Sequence, residues 1–260
     1  MVHSVFSSRP LSTRPNSNWT DWGQWLALIT MTIDHVVRHL LPNMMWASSS
    51  IGRVAFPLFA GMVAWHGCFN TRNPFRYGRR ILVIGLVAQL PYMLLPRSGW
   101  QWNVCFTLAL GLMWASVYRD VWRTHAQQQG LGALRLPVFV VLSFVAWWWL
   151  GYTVEYGHLG LLFVPVLFFA MQAWHPNTGL HIATPLAALG VLLVLVNAGL
   201  LNSSLMAKSI TVLTTAVVLG MLFGAARWVP NVALPMPRKM WLSWYPAHLA
   251  AIAACVAVLH

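Results

Sequence analysis

An acid, two imidazoles and a guanidinium lie close together in the stretch Met31-Thr32-Ile33-Asp34-His35-Val36-Val37-Arg38-His39-Leu40. On a helix, Asp34 and Arg38 share one face at i,i+4 and can form an ion pair, while His35 and His39 share a face rotated by about 100°. The chain has four acidic residues, Asp21, Asp34, Asp120 and Glu155, and only Asp34 lies well inside an apolar segment. A carboxylate in such a setting needs a partner, and a purely structural position would more readily be apolar. Acid–base chemistry is therefore expected, with His35 as general base and Asp34, or a partner on another helix, orienting its ring. The structural alternative is that Asp34 and Arg38 neutralise each other and His35 is a hydrogen-bonded bundle histidine.

Other residues extend this set. Arg53, in IGRVAFPLFAG, is expected at the same end of the bundle as Arg38 and His39, where it could bind an anion or anchor a helix end at the headgroups. Pro57 is expected to kink that helix near its middle and free backbone groups to line a cavity. The segment NTRNPFRYGRR carries four arginines around an Asn-Pro turn; these could receive the phosphates of a nucleotide-like ligand or act as topology determinants. Polar residues in apolar context are Gln89, Asn103, Tyr156, His158, Asn197, Tyr245 and His248. His248 stands out as a titratable group about two turns into the last helix. Cys68, Cys105 and Cys255 are far apart in apolar surroundings, so neither a disulfide framework nor a metal site is indicated, and they read as packing residues.

The elements that must position these groups are membrane helices. Of 260 residues, 58% are hydrophobic and only 8% charged, against roughly a quarter charged in ordinary globular chains. The net charge of +12 forms no basic run, which argues against nucleic acid as a partner and for membrane lipids. Sixteen Trp and twelve Phe, many near the ends of apolar runs, suit aromatic belts at the headgroups. Residues 1–20 are Ser-, Pro- and Arg-rich without a signal-peptide core and read as a disordered cytoplasmic tail. Residues 21–260 read as a single all-α transmembrane domain, a polytopic helical bundle. Nine apolar windows are expected as spans: 22–42, 50–69, 78–96, 101–119, 134–152, 156–174, 180–200, 207–227 and 241–259. With the N-terminus inside, twelve Lys and Arg fall in cytoplasmic segments and only Arg97 and Lys208 outside, predicting N-in and C-out.

The order of short motifs resembles the TraX family, which includes the F-pilin N-acetylase of conjugative plasmids. They are Asp34-His35; Gly52-Arg53 with Phe56, Pro57 and Phe59; Thr71-Arg72-Asn73 with Tyr77 and Arg80; Gln89 with Pro91-Tyr92; Asn103 with Phe106; Tyr156-Gly157 with Gly160; and Tyr245-Pro246 with His248-Leu249. His39, Glu155 and His158 fall outside this pattern. The resemblance implies a bacterial inner-membrane acetyltransferase that moves acetyl from acetyl-CoA to the N-terminal amine of a pilin subunit during pilus biogenesis, with no metal. On that reading His35, Asp34 and His248 are catalytic, with His248 an alternative base or relay. Arg53, Asn103 and Tyr245 serve substrate and oxyanion, and Arg72, Arg79 and Arg80 hold the CoA phosphates. A proton-coupled transporter is the competing class, since it too uses intramembrane Asp, His and Arg, although no internal repeat is visible. An acyltransferase for another extracytoplasmic substrate is a further alternative.

Overall fold

The computed structural model describes residues 18–96, 99–125, 134–174, 180–196, 204–230 and 234–259. Asn197, Arg97, Arg9, Arg14 and most of the expected tail lie outside the described residues. The helices are α1 (Asn18–Leu40), α2 (Met45–Ser49), α3 (Ala55–Trp65), α4 (Pro74–Leu94), α5 (Val104–His125), α6 (Arg135–Gly151), α7 (Gly157–Ala173), α8 (Leu180–Leu195), α9 (Leu205–Leu222) and α10 (Arg238–Leu259). Among the described residues, four stretches are by length and composition long and apolar enough to cross a membrane: Pro42–Asn70, Val104–His125, Leu205–Leu222 and Arg238–Leu259.

Side-chain contacts fix the helix directions. Trp19 packs edge-on against Trp65 at one end of α1 and α3, and Asp34 faces Gly52 at the other, so the two are antiparallel. Phe56 stacks on Tyr156 and Cys68 reaches the Phe168 carbonyl, so α3 and α7 run together. Tyr118 meets Phe169, and Thr107 Oγ1 donates to the Glu155 carbonyl, which sets α5 parallel to α7. Trp25 Nε1 donates to the Leu234 carbonyl, Trp244 Nε1 to Thr32 Oγ1, and His35 meets His248, so the first and last helices are parallel. The end where α1 begins is termed lower and the end where it finishes upper.

The core lies between α3, α5 and α7, where Met62, Trp65, Leu112, Phe163, Leu167 and Phe168 are fully buried. The backbones of α5 and α7 approach closely at Gly111, where a Cβ would meet the Leu161 carbonyl oxygen at 3.1 Å. Small residues permit such contact in helical membrane bundles. The outer surface is apolar: Val83, Val87 and Leu90 on α4 and Val141, Leu142 and Phe144 on α6 are each more than half exposed. A water-soluble fold rarely leaves such continuous apolar faces uncovered; hydrocarbon is the solvent that suits them. Exposed tryptophans gather at both ends, with Trp46, Trp100, Trp148 and Trp149 at the upper end and Trp22, Trp122 and Trp228 at the lower.

Pro57 does not kink the middle of a regular helix. It stands in the first turn of α3, where the missing N–H removes no bond, and the irregularity precedes it as a 3₁₀ stretch over Ile51–Val54. Thr71, Arg72 and Asn73 form a helix start: Asn73 accepts from the Thr71 hydroxyl through its carbonyl and from Arg76 N through Oδ1, and Pro74 follows at the first helical position.

Candidate functional site

The site sits toward the upper end, where α1 and α10 meet. His35 is five residues from the end of α1, a rise of about 7.5 Å. Its ring is buried and stacked on His248, with centroids 5.0 Å apart and Nδ1 of His35 2.8 Å from Nε2 of His248. The Trp244 carbonyl lies 2.8 Å from His248 Nδ1 and accepts only, so His248 Nδ1 carries the hydrogen. In the neutral ring its Nε2 then accepts, and His35 Nδ1 must donate. The basic nitrogen of His35 is therefore Nε2. Trp244 is tied to α1 through its bond to Thr32, which fixes the end of this relay.

Asp34, adjacent in sequence, points elsewhere on α1. Its carboxylate accepts from Arg38 at 3.0 and 3.1 Å and from the Ser48 hydroxyl. The expected i,i+4 ion pair is thus present, with Ser48 supplying a third bond. Gly52 covers this group so closely that a Cβ there would lie 2.5 Å from Asp34 Oδ1. Gly52→Ala is expected to displace Asp34 and to destabilise the protein by about 1–3 kcal/mol, read from thermal unfolding in detergent.

Three further groups complete the upper end. Arg53 leaves its buried Nε without a hydrogen-bond partner among the described residues. Tyr156 stacks on Phe56 at 4.0 Å and, alone among the described non-glycine residues, has a left-handed backbone, φ 66°. Asp34, Arg38, Arg53 and Glu155 all lie within electrostatic reach of the Tyr156 hydroxyl. Glu155, which stands outside the family motifs, is thus at the same end of the bundle. The segment that carries Glu155 and Tyr156 is held by Trp102, which donates to the Thr153 carbonyl and accepts from Glu155 N.

Tyr245 connects the histidines to a cavity. Its ring centroid lies 5.6 Å from that of His248 and 6.3 Å from that of His35. It also lines a cavity of about 380 Å³ between α1, α3, α4, α5 and α10, whose wall includes Arg80 and Arg238. From Arg238 to His248 the helix rises about 15 Å. Arg80 is thus where a phosphate could meet this cavity, while Arg72 and Arg79 are exposed and do not line it. Arg238 was not singled out by sequence because it lies 158 residues beyond Arg80 and carries no motif.

Asn103 is fully buried and wholly engaged in structure. Its amide donates to the Gly85 carbonyl and to Gln89 Oε1, and its Oδ1 accepts from Cys105 N, capping α5. With both amide hydrogens held, it has none to offer a developing oxyanion. Asn103→Ala is expected to cost about 1–3 kcal/mol of stability by removing the cap and stranding the Gly85 carbonyl, again read by thermal unfolding. His158 has a similar structural place, donating to the Trp148 carbonyl at 2.8 Å among Trp147, Trp148 and Tyr152. Among the described residues no group of His, Cys, Asp and Glu has the arrangement of a metal site.

The bundle and its buried polar end define a helical membrane protein with a histidine pair inside it. The chain matches the family described as TraX protein over residues 21–256, and it belongs to that family. An uncharacterized protein of Rickettsia prowazekii (strain Madrid E) is 23% identical over 166 residues, which cover 64% of this chain and 60% of that relative. The chain thus spans less than two thirds of the length of that relative. No solved structure matches the chain.

Proposed function

We propose that this protein is an inner-membrane acetyltransferase that carries acetyl from acetyl-CoA to the N-terminal amine of a conjugative pilin. The observation that carries this reading is the cavity that leads from Arg80 and Arg238 to Tyr245 beside the His35–His248 pair. Nine crossings, N-in and C-out, fit the parallel course of α1 and α10. Of the thirteen described Lys and Arg residues, Arg38, Arg53 and Lys208 are at the upper end and the other ten at the lower, which favours a cytoplasmic lower end.

In this orientation the donor enters from below. Arg80 and Arg238 hold its phosphates, the pantetheine arm fills the cavity and the thioester arrives beside Tyr245. The acceptor amine approaches from above. Its nitrogen attacks the thioester carbonyl carbon while His35 Nε2 takes a proton from it, and His248 shares the resulting charge through the Nδ1 bond. Arg53 offers a donor to the developing oxyanion. The carbon–sulfur bond then breaks, and the proton passes from His35 to the departing thiolate sulfur.

Intact-mass analysis of pilin from cells with and without this protein tests the reading. An increment of ~42 Da that depends on the protein is the expected result, and pilin of identical mass in both strains overturns it. With purified protein, Arg80→Gln and Arg238→Gln are each expected to raise the KM for acetyl-CoA about tenfold with little change in kcat, as loss of a charged hydrogen bond to phosphate predicts.

A further inference from the structure

The transfer proposed above uses one side of α4. Tyr77, Arg80, Ile81 and Ile84 line the cavity of about 380 Å³, whereas Phe75, Arg79 and Leu82, at about 100° per residue, fall on the opposite side of the helix. That second side borders a different opening, walled by α4, α5 and α6. Phe75 lines it, and Leu82 packs into the same apolar cluster as Leu110, Trp147 and Leu150, which line it too.

The opening is a slot of about 370 Å³, left where Gly111 of α5 and Ser143 and Ala146 of α6 face each other with small side chains or none. Along α6 it runs from Phe139 to Leu150, a rise of about 16 Å. Spread over that length, the volume leaves a mean cross-section of about 23 Å², whereas a helix about 10 Å across needs roughly 80 Å². The slot therefore admits an extended hydrocarbon chain and not a further helix. No charged side chain lines it among the described residues. Its entrance is lateral, since Leu142 lines it and is also 61% exposed on the outer face that meets hydrocarbon. Helix α6 is fastened over it at both ends: Trp147 Nε1 donates to the His158 carbonyl and His158 Nε2 to the Trp148 carbonyl above, and Phe139 meets Tyr118 below, with centroids 6.2 Å apart.

Positive charge gathers at the lower mouth. Arg135 stands one turn below Phe139 on the lining face of α6, and Arg79 one turn above Phe75 on α4; both are exposed. An arginine stem is long enough to carry each guanidinium to the mouth. Asp120 is the one carboxylate on α4, α5 and α6, and Arg119 already holds it at 2.9 Å. The mouth is therefore cationic, and an apolar slot entered from hydrocarbon below which guanidinium groups converge is complementary to a lipid with an anionic headgroup.

We propose that this slot binds one anionic phospholipid of the lower leaflet, with an acyl chain between α5 and α6 and its phosphate on Arg79 and Arg135. The site is separate from the histidine pair and stands whether or not the protein transfers acetyl.

Native mass spectrometry of the delipidated full chain in detergent tests this, with phosphatidylglycerol, phosphatidylcholine and inorganic phosphate as probes. Wild type is expected to retain phosphatidylglycerol and to bind it about 25-fold tighter than phosphatidylcholine, about fivefold for each arginine at an anionic headgroup. Arg79→Gln/Arg135→Gln should erase that preference, whereas Arg227→Gln/Lys239→Gln, which removes the same charge elsewhere at the lower end, should keep it. Ala146→Phe fills the slot from an exposed position and should weaken both lipids, with the thermal midpoint recorded to show an intact bundle. Equal affinity of wild type for the two lipids overturns the proposal, as does a preference that survives Arg79→Gln/Arg135→Gln or falls as far in Arg227→Gln/Lys239→Gln. Inorganic phosphate retained in place of lipid would assign the arginines to a free anion, and undisturbed lipid binding in Ala146→Phe would put the chain elsewhere; either result also overturns the site.

Discussion

His35→Ala is expected to reduce acetyl transfer to the pilin peptide by about 10²–10⁴-fold in kcat, the range that a positioned general base contributes. Its ring lies beside the cavity wall, through Tyr245, and against a second imidazole that sets its tautomer. The KM for acetyl-CoA should change little, because Arg80 and Arg238, the residues proposed to hold its phosphates, lie at the far end of the cavity. The measurement is steady-state release of CoA with the thermal midpoint recorded beside it. Wild-type turnover in a folded His35→Ala protein would remove His35 from the chemistry.

His248 yields the second large effect, and its substitutions separate two roles. His248→Leu takes away the acceptor for His35 Nδ1 and leaves the ring free to rotate or to move its hydrogen to Nε2, where it cannot act as a base. A wrong tautomer of this kind costs up to about 10⁴-fold in serine proteases, so a loss of ~10²–10³-fold is expected here. His248→Gln retains an oxygen able to accept from His35 but cannot share the proton, and should lose only about tenfold. Equal losses in both variants would mean that charge sharing, rather than orientation, is the larger contribution. Rates across the pH range, fitted for each variant, supply the comparison.

What the amino-acid order disclosed follows the reach of local geometry. The Asp34–Arg38 pair was legible because four residues on a helix are neighbours whatever surrounds them. The helices were legible from apolar length: α6, α7 and α10 lie within a few residues of the spans read from sequence. The pairing of His35 with His248, 213 residues apart, was not, because α10 is apolar on most faces and nothing in its pattern says which one meets α1. The same holds for Ser48 on Asp34 and for Arg238 on the cavity. Asn103 had a readable sign that the chemical interpretation passed over: an Asn just before an apolar run is a helix-capping position. Glu155 stands outside the family motifs, and its arrival at the same end of the bundle as Asp34 is a consequence of packing.

The two side-chain bonds between α1 and α10, with a third from Trp25 to Leu234 just before α10, have a bearing on biosynthesis. His35 lies on α1 and the residue that sets its tautomer on α10, 213 residues later. A nascent chain that has inserted α1 and not yet α10 therefore holds His35 without its partner. If the histidine pair is the proposed base and relay, its competence waits on the insertion of α10 beside α1, and the order of synthesis itself guards against premature chemistry.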